Sequence, residues 1–148
     1  MYFVTGGAFN GKKKWVLKNF SSILQNNSNW HSCYDEKNHP LLRLPQFEEN
    51  TMVIEGIEQS LKEYLKDVAN TDSAEEYFED YILPLIKWEQ QERTRKFIVI
   101  GTDVTKGVVP IDKEIRRFRD ELGRLYQKLE RVADETYIVW FGIGQRLS

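Results

Sequence analysis

Near the start of this chain stands the octet Gly6-Gly7-Ala8-Phe9-Asn10-Gly11-Lys12-Lys13. From Gly6 to Lys12 it matches G-x-x-x-x-G-K, the core of a phosphate-binding loop. In such a loop the glycines let backbone N–H groups turn inward around phosphate oxygens, and the lysine ammonium reaches the outer phosphates. A helix N-terminus directly after it adds partial positive charge. The next position normally carries a Ser or Thr whose hydroxyl holds Mg²⁺. Here it is Lys13, a cation that cannot ligate another cation. The same octet also reads as a plain glycine turn between a strand and a helix.

Two carboxylates fall where chemistry could use them. Glu55 follows the apolar run Thr51-Met52-Val53-Ile54 and is a candidate catalytic and Mg²⁺-holding residue; the alternative is a solvated strand-end charge. Asp103 opens the loop Thr102–Pro110 after a second such run and is a candidate catalytic residue; the alternative is a connection whose Gly107 and Pro110 serve turn geometry. His31 and His39 lie in a polar region. They read either as surface loop residues or, His31 above all, as a nucleophile in a long active-site loop.

These groups need elements to hold them. Residues 2–5, 51–54, 97–100 and 136–141 are continuously apolar or β-favouring, and glycine follows each closely. That is the pattern of strands buried on both faces of a parallel sheet. Helical spacing recurs over residues 12–25, 57–70 and 74–88, where Pro84 should kink or divide the helix. Ser73 offers N-cap chemistry. After Asp112 comes the clearest stripe, Ile115, Phe118, Leu122, Leu125, Leu129 and Val132. Its other face bears Arg116, Arg117, Arg124, Lys128 and Arg131, and reads as solvated or as an anion or subunit contact. Trp15, Trp88 and Trp140 read as core. Residues 25–50 read as a long irregular connection with at most a short edge strand at Leu41–Leu44. Alternation of strands and helices predicts a three-layer α/β domain spanning residues 1–148, mostly parallel, with helices on both faces. Ligands of such sheets sit at the carboxyl ends of the strands, where all these loops fall.

Composition narrows the function. The chain has 148 residues, 30% charged and 41% hydrophobic, with a net charge of −2. That is globular, and it is not the balance of a general nucleic-acid binder. One cysteine, Cys33, allows no internal disulfide, and two histidines make a zinc site hard to assemble. No apolar run is long enough to span a bilayer, and the N-terminal residues lack the pattern of a signal peptide, so a cytoplasmic setting is expected.

The last third carries a more specific pattern. Asp103-Val104, Gly107-Val108-Val109-Pro110, Arg117-Phe118-Arg119-Asp120, Gly123-Arg124, Gln127-Lys128-Leu129, Ala133-Asp134-Glu135 and Gly142-Ile143 resemble the run NEVG-x-GIVP…FRD-x-x-GR-x-NQ-x-L…ADE…GI. That run belongs to the cobinamide kinase / cobinamide-phosphate guanylyltransferase family (CobU/CobP type) of cobalamin biosynthesis. Val4-Thr5-Gly6-Gly7-Ala8 with Gly11-Lys12 resembles that family's VTGGARSGKS, and Glu55 falls at its strand-end acidic residue. The resemblance implies a P-loop, RecA-like fold, a trimer, GTP or ATP as substrate with Mg²⁺, and two activities. One is phosphorylation of cobinamide's aminopropanol hydroxyl; the other is GMP transfer through a guanylyl-histidine. Three departures stand out. Lys13 replaces the Ser or Thr, Thr102-Asp103 replaces the Asn-Glu pair, and Tyr34 or Asp35 falls at the guanylylated histidine, with His31 nearby but out of step. The expectation is a nucleotide-binding family member with its guanylyltransferase half impaired, or a degenerate one acting as a regulatory or assembly subunit.

Overall fold

The computed structural model describes residues 1–24, 28–35, 50–67, 73–104 and 107–148. Strand β1 (Tyr2–Gly6) leads through the glycine loop into α1 (Lys12–Asn19) and a short α2 (Ser21–Leu24). Then come β2 (Ser28–Ser32), β3 (Thr51–Glu55), α3 (Ile57–Asp67) and α4 (Ala74–Tyr77). A π-helical turn (Phe78–Ile82) leads into α5 (Leu83–Gln91). β4 (Lys96–Thr102), α6 (Lys113–Val132), β5 (Glu135–Trp140) and β6 (Ile143–Arg146) complete the order.

The six strands form one sheet in the order β2-β3-β4-β1-β5-β6. Every neighbouring pair is parallel except β5 with β6. Successive side chains alternate between two cores. Phe3, Met52, Ile54, Phe97 and Val99 pack against α3, α4, α5 and α6, with Leu122, Leu125 and Leu129 from the last helix. Val4, Val53, Ile98 and Ile100 pack on the opposite face against Val16, Phe20 and the partly buried Trp15. Both faces being covered explains why the central strands are apolar at every position. The predicted α/β class, mostly parallel with helices on both faces, is the class observed.

The parallel register sets the strand ends level. Gly6 pairs with Thr102, Glu55 with Ile100 and Ser32 with Glu55. The end of β1 leaves no room for a side chain. A Cβ on Gly6, whose φ is +148°, would lie 2.2 Å from the Val139 carbonyl oxygen of β5.

Several expectations need correction. Residues 28–32, expected to be irregular, form the edge strand β2. The pairing with β3 overrides the weak local propensity of Ser28-Asn29-Trp30-His31-Ser32. After Trp140 the chain does not simply end its strand. Phe141 and Gly142, with φ of 50° and 75°, make a two-residue turn into β6, the geometry a tight hairpin favours. Trp140, expected in the core, is 40% exposed at this open end. Ile115 and Val132, expected on the buried stripe of α6, are 53% and 41% exposed. A helix of 20 residues runs ~30 Å, longer than strands of five to seven residues at about 3.3 Å each. Its two ends therefore overhang the sheet.

Pro84 follows closely on the π-helical turn Phe78–Ile82, so the run is modified there while it stays helical from Ala74 to Gln91. Other expectations hold. Ser73 Oγ accepts the Glu76 N–H as the N-cap of α4. Asp112 accepts from the amides of Glu114 and Ile115 at the start of α6. The suggested strand at Leu41–Leu44, and His39, lie outside the described residues.

Gly6→Ala should lower the urea-unfolding free energy by roughly 2–4 kcal/mol, because backbone must shift to admit the methyl. Gly123→Ala, where nothing lies within 4 Å of the added atom, should instead stabilise α6 by up to about 1 kcal/mol. Equal midpoints for the two variants would contradict the close approach at Gly6.

Candidate nucleotide-phosphate site

The glycine loop leaves the carboxyl end of β1, at the centre of the sheet between β4 and β5. Gly11, at φ +83°, is the residue that turns the chain into α1. Two neighbours pin the loop. The Asp103 amide donates to the Gly6 carbonyl at 2.9 Å, tying β4 to β1 beyond their last paired residues. The Gly142 amide donates to the Asn10 carbonyl at 2.8 Å, and the Phe141 amide donates to Asn10 Oδ1 at 3.2 Å. The β5–β6 turn thus holds the middle of the loop, a contact the sequence pattern does not announce. Ala8 and Phe9 project outward and are exposed.

Lys12 and Lys13 part company at the start of α1. Lys12 is 9% exposed, and its ammonium donates to the Gly7 carbonyl at 2.8 Å. Burial pulls its pKa below 10.5, while the carboxylates of Glu58 and Glu55 oppose the shift. It is a cation held inside the loop by its own backbone. Lys13 reaches the other way. Its Nζ stands 3.8 Å from Glu55 Oε2 and 5.2 Å from the centre of the Trp30 ring. The other Glu55 oxygen accepts from Ser32 Oγ at 3.2 Å. The strand-end carboxylate is therefore engaged on both oxygens, one of them facing an ammonium.

This arrangement does not fit a protein-held Mg²⁺. The position that should offer a hydroxyl oxygen presents a positive charge, and that charge is directed at the carboxylate meant to assist the metal. Among the described residues no group of three or more His, Cys, Asp or Glu is placed to hold a metal ion.

Sequence reasoning missed one residue of the site. Glu58, in the first turn of α3, is 8% exposed. Its Oε2 accepts the Thr102 amide at 3.0 Å, and its Oε1 accepts the Tyr34 hydroxyl. The hydroxyls of Tyr34 and Thr102 lie 3.3 Å apart. Glu58 thereby closes the ends of β2 and β4 and places a negative charge near Lys12. Its sequence signal was slight: an acidic residue two positions after Gly56, on what reads as the polar face of an amphipathic helix. Tyr34 in turn lies on Gly56, where a Cβ would come within 2.8 Å of its ring.

The predicted residues are only partly brought together. Gly6–Lys13, Glu55 and Asp103 converge on the carboxyl edge of β1, β3 and β4. His31 does not join them. It pairs in register with Ile54, so it occupies the sheet face opposite Glu55 and Ser32. Burial lowers its pKa from 6.5, against the pull of Asp35.

A mostly parallel sheet whose first strand passes through a G-x-x-x-x-G-K turn into a helix defines an α/β protein of the P-loop nucleoside-triphosphatase class. Within it, the chain belongs to the cobinamide kinase / cobinamide phosphate guanyltransferase family, whose model it matches over residues 23–147. That match begins after the glycine loop. Among curated proteins it is similar to the bifunctional adenosylcobalamin biosynthesis protein CobU of Salmonella typhimurium (strain LT2). The identity is 38% over 53 residues, covering 36% of this chain and 29% of that protein. The CobU of Escherichia coli (strain K12) is 36% identical over 53 residues, with the same shares covered. The alignment thus spans less than a third of the length of either relative.

The ionisable groups beneath the site make stability pH-dependent. Burial, with Glu58 and Glu55 adding to it, pushes the Cys33 thiol from 9.0 up to about 12. Burial likewise raises Tyr34, Tyr77 and Tyr126 above 10.0. In the unfolded chain these groups lose protons from about pH 9 upward while the fold retains them, so stability falls as pH rises. Lys12, shifted down, works in the opposite direction, one group against four. Urea midpoints should therefore drop between about pH 8 and about pH 11. Cys33→Ala should move the onset of that drop toward the tyrosine range.

Proposed function

We propose that this chain binds the phosphates of a nucleoside triphosphate in the Gly6–Lys13 loop and serves cobalamin biosynthesis as a cobinamide kinase of its family. The observation that carries the reading is Lys12. It is a nearly buried ammonium at the start of α1, held by a loop carbonyl that a phosphate oxygen would displace. In the reaction a cobinamide hydroxyl oxygen forms a bond to the terminal phosphorus. The nucleoside diphosphate leaves, and the hydroxyl proton passes to a strand-end carboxylate, Asp103 or Glu55.

The guanylyltransferase half is impaired in this reading, because His31, the one histidine among the described residues, stands on the far face of the sheet from Glu55. The same observation favours a second reading, in which the chain keeps the nucleotide site and acts as a regulatory or assembly subunit. Family resemblance adds a cytoplasmic setting and a trimer of identical chains. Exposed Val108, Ile111, Phe141 and Ile143 offer apolar surface for such an association.

Calorimetric titration with GTP and ATP, followed by a cobinamide phosphorylation assay read by mass spectrometry, tests the assignment. Lys12→Ala should weaken the preferred nucleotide by about a hundredfold or more, on the order of 3 kcal/mol, with the folded state retained. Binding without turnover would favour the subunit reading. No binding by the wild-type chain would remove the phosphate site altogether.

A further inference from the structure

The contact between Lys13 and Glu55 points beyond nucleotide binding to the way the nucleotide's charge is neutralised. Resting on the phosphate-site reading above, we propose that the Lys13 ammonium is a built-in cation that takes the place of Mg²⁺, so that this chain binds its nucleotide without a divalent ion.

Three observations carry the proposal. First, Lys13 occupies the position whose hydroxyl would ligate Mg²⁺, one residue after the phosphate-reaching Lys12. Second, its Nζ lies 3.8 Å from Glu55 Oε2, so positive charge already sits against the strand-end carboxylate, on the site side of β3. A divalent ion placed there would meet like charge instead of a lone pair. Third, the side chain is 58% exposed while Glu55 is 12% exposed. The carboxylate is fixed and the lysine can swing. When a triphosphate enters, Lys13 can leave or share Glu55 and turn toward the phosphate oxygens at modest cost, because an exposed ion pair is weak.

The local charges agree with this role. Lys12 and Lys13 face Glu55 and Glu58, so both lysines sit among carboxylates with no metal bound. An ammonium offers hydrogen bonds to phosphate oxygens without fixed coordination geometry. It cannot impose the octahedral arrangement that Mg²⁺ gives. Charge neutralisation is therefore the part of the metal's work that it can supply.

The test is titration calorimetry of the full chain with GTP and with ATP, each in excess MgCl₂ and in excess EDTA. For the wild type the dissociation constant should differ by less than about threefold between the two media. In Lys13→Ser, which restores the hydroxyl, Mg²⁺ should tighten binding about tenfold or more, within the usual range for coupling between two ligands. Lys13→Met removes the charge without adding a ligand. It should weaken binding in EDTA by about tenfold, with no rescue by Mg²⁺. Circular dichroism verifies that each variant is folded, as expected for a substitution at an exposed position.

Wild-type binding that Mg²⁺ tightens tenfold would overturn the proposal while leaving the nucleotide site intact. So would a Lys13→Ser variant that stays indifferent to Mg²⁺. Failure of the wild type to bind either nucleotide in either medium would overturn the site and the proposal together.

Discussion

Everything at the functional edge depends on a missing atom. Gly6 passes so close to the Val139 carbonyl of β5 that no β-carbon fits between them. The strand can therefore run to its last paired residue, tucked between β4 and β5, and then turn abruptly. Because β1 is hydrogen-bonded on both sides, that turn starts from a rigid point. The Asp103 amide locks the Gly6 carbonyl from the β4 side, and the β5–β6 turn grips Asn10 from the other. A loop closed in this way offers its backbone to a ligand without an ordering cost at the moment of binding.

Below the loop lies a polar layer that is unusual for the centre of an apolar sheet. Tyr34, Glu58 and Thr102 satisfy one another, and the Tyr126 hydroxyl donates to the Thr102 carbonyl at 2.6 Å. Gly101 makes room for that tyrosine, since a side chain there would strike its ring. Glu58 and Thr102 have partners here, which lowers the cost of burying them. The layer also sets the electrostatics above it. Glu58 opposes the downward shift that desolvation imposes on Lys12.

The two lysines show how adjacent residues acquire different work from helix geometry. Consecutive positions on a helix point about 100° apart, so Lys12 turns under the loop while Lys13 turns toward β3 and Trp30. The first is buried under the loop, the second largely exposed beside Glu55. Neither behaviour follows from residue type, because both are lysines.

The sequence by itself determined the layers. Apolar runs at 51–54 and 97–100 could only be strands covered on both faces, and the stripe from Phe118 to Leu129 could only face a core, because period and burial are local properties of the chain. The glycine-lysine spacing likewise fixed where a phosphate loop could lie. Only the tertiary structure decided the rest. Ser28–Ser32 became a strand because β3 had a free edge to pair with. His31 was turned away from Glu55 because neighbouring residues of a paired strand must alternate faces. Glu58 and Tyr34 entered the site because α3 and the end of β2 converge on Thr102 from positions far apart in the chain. Lys13 found Glu55, more than forty residues away, through the parallel register that sets the two strand ends level. Such contacts depend on register and closure, which no local pattern encodes.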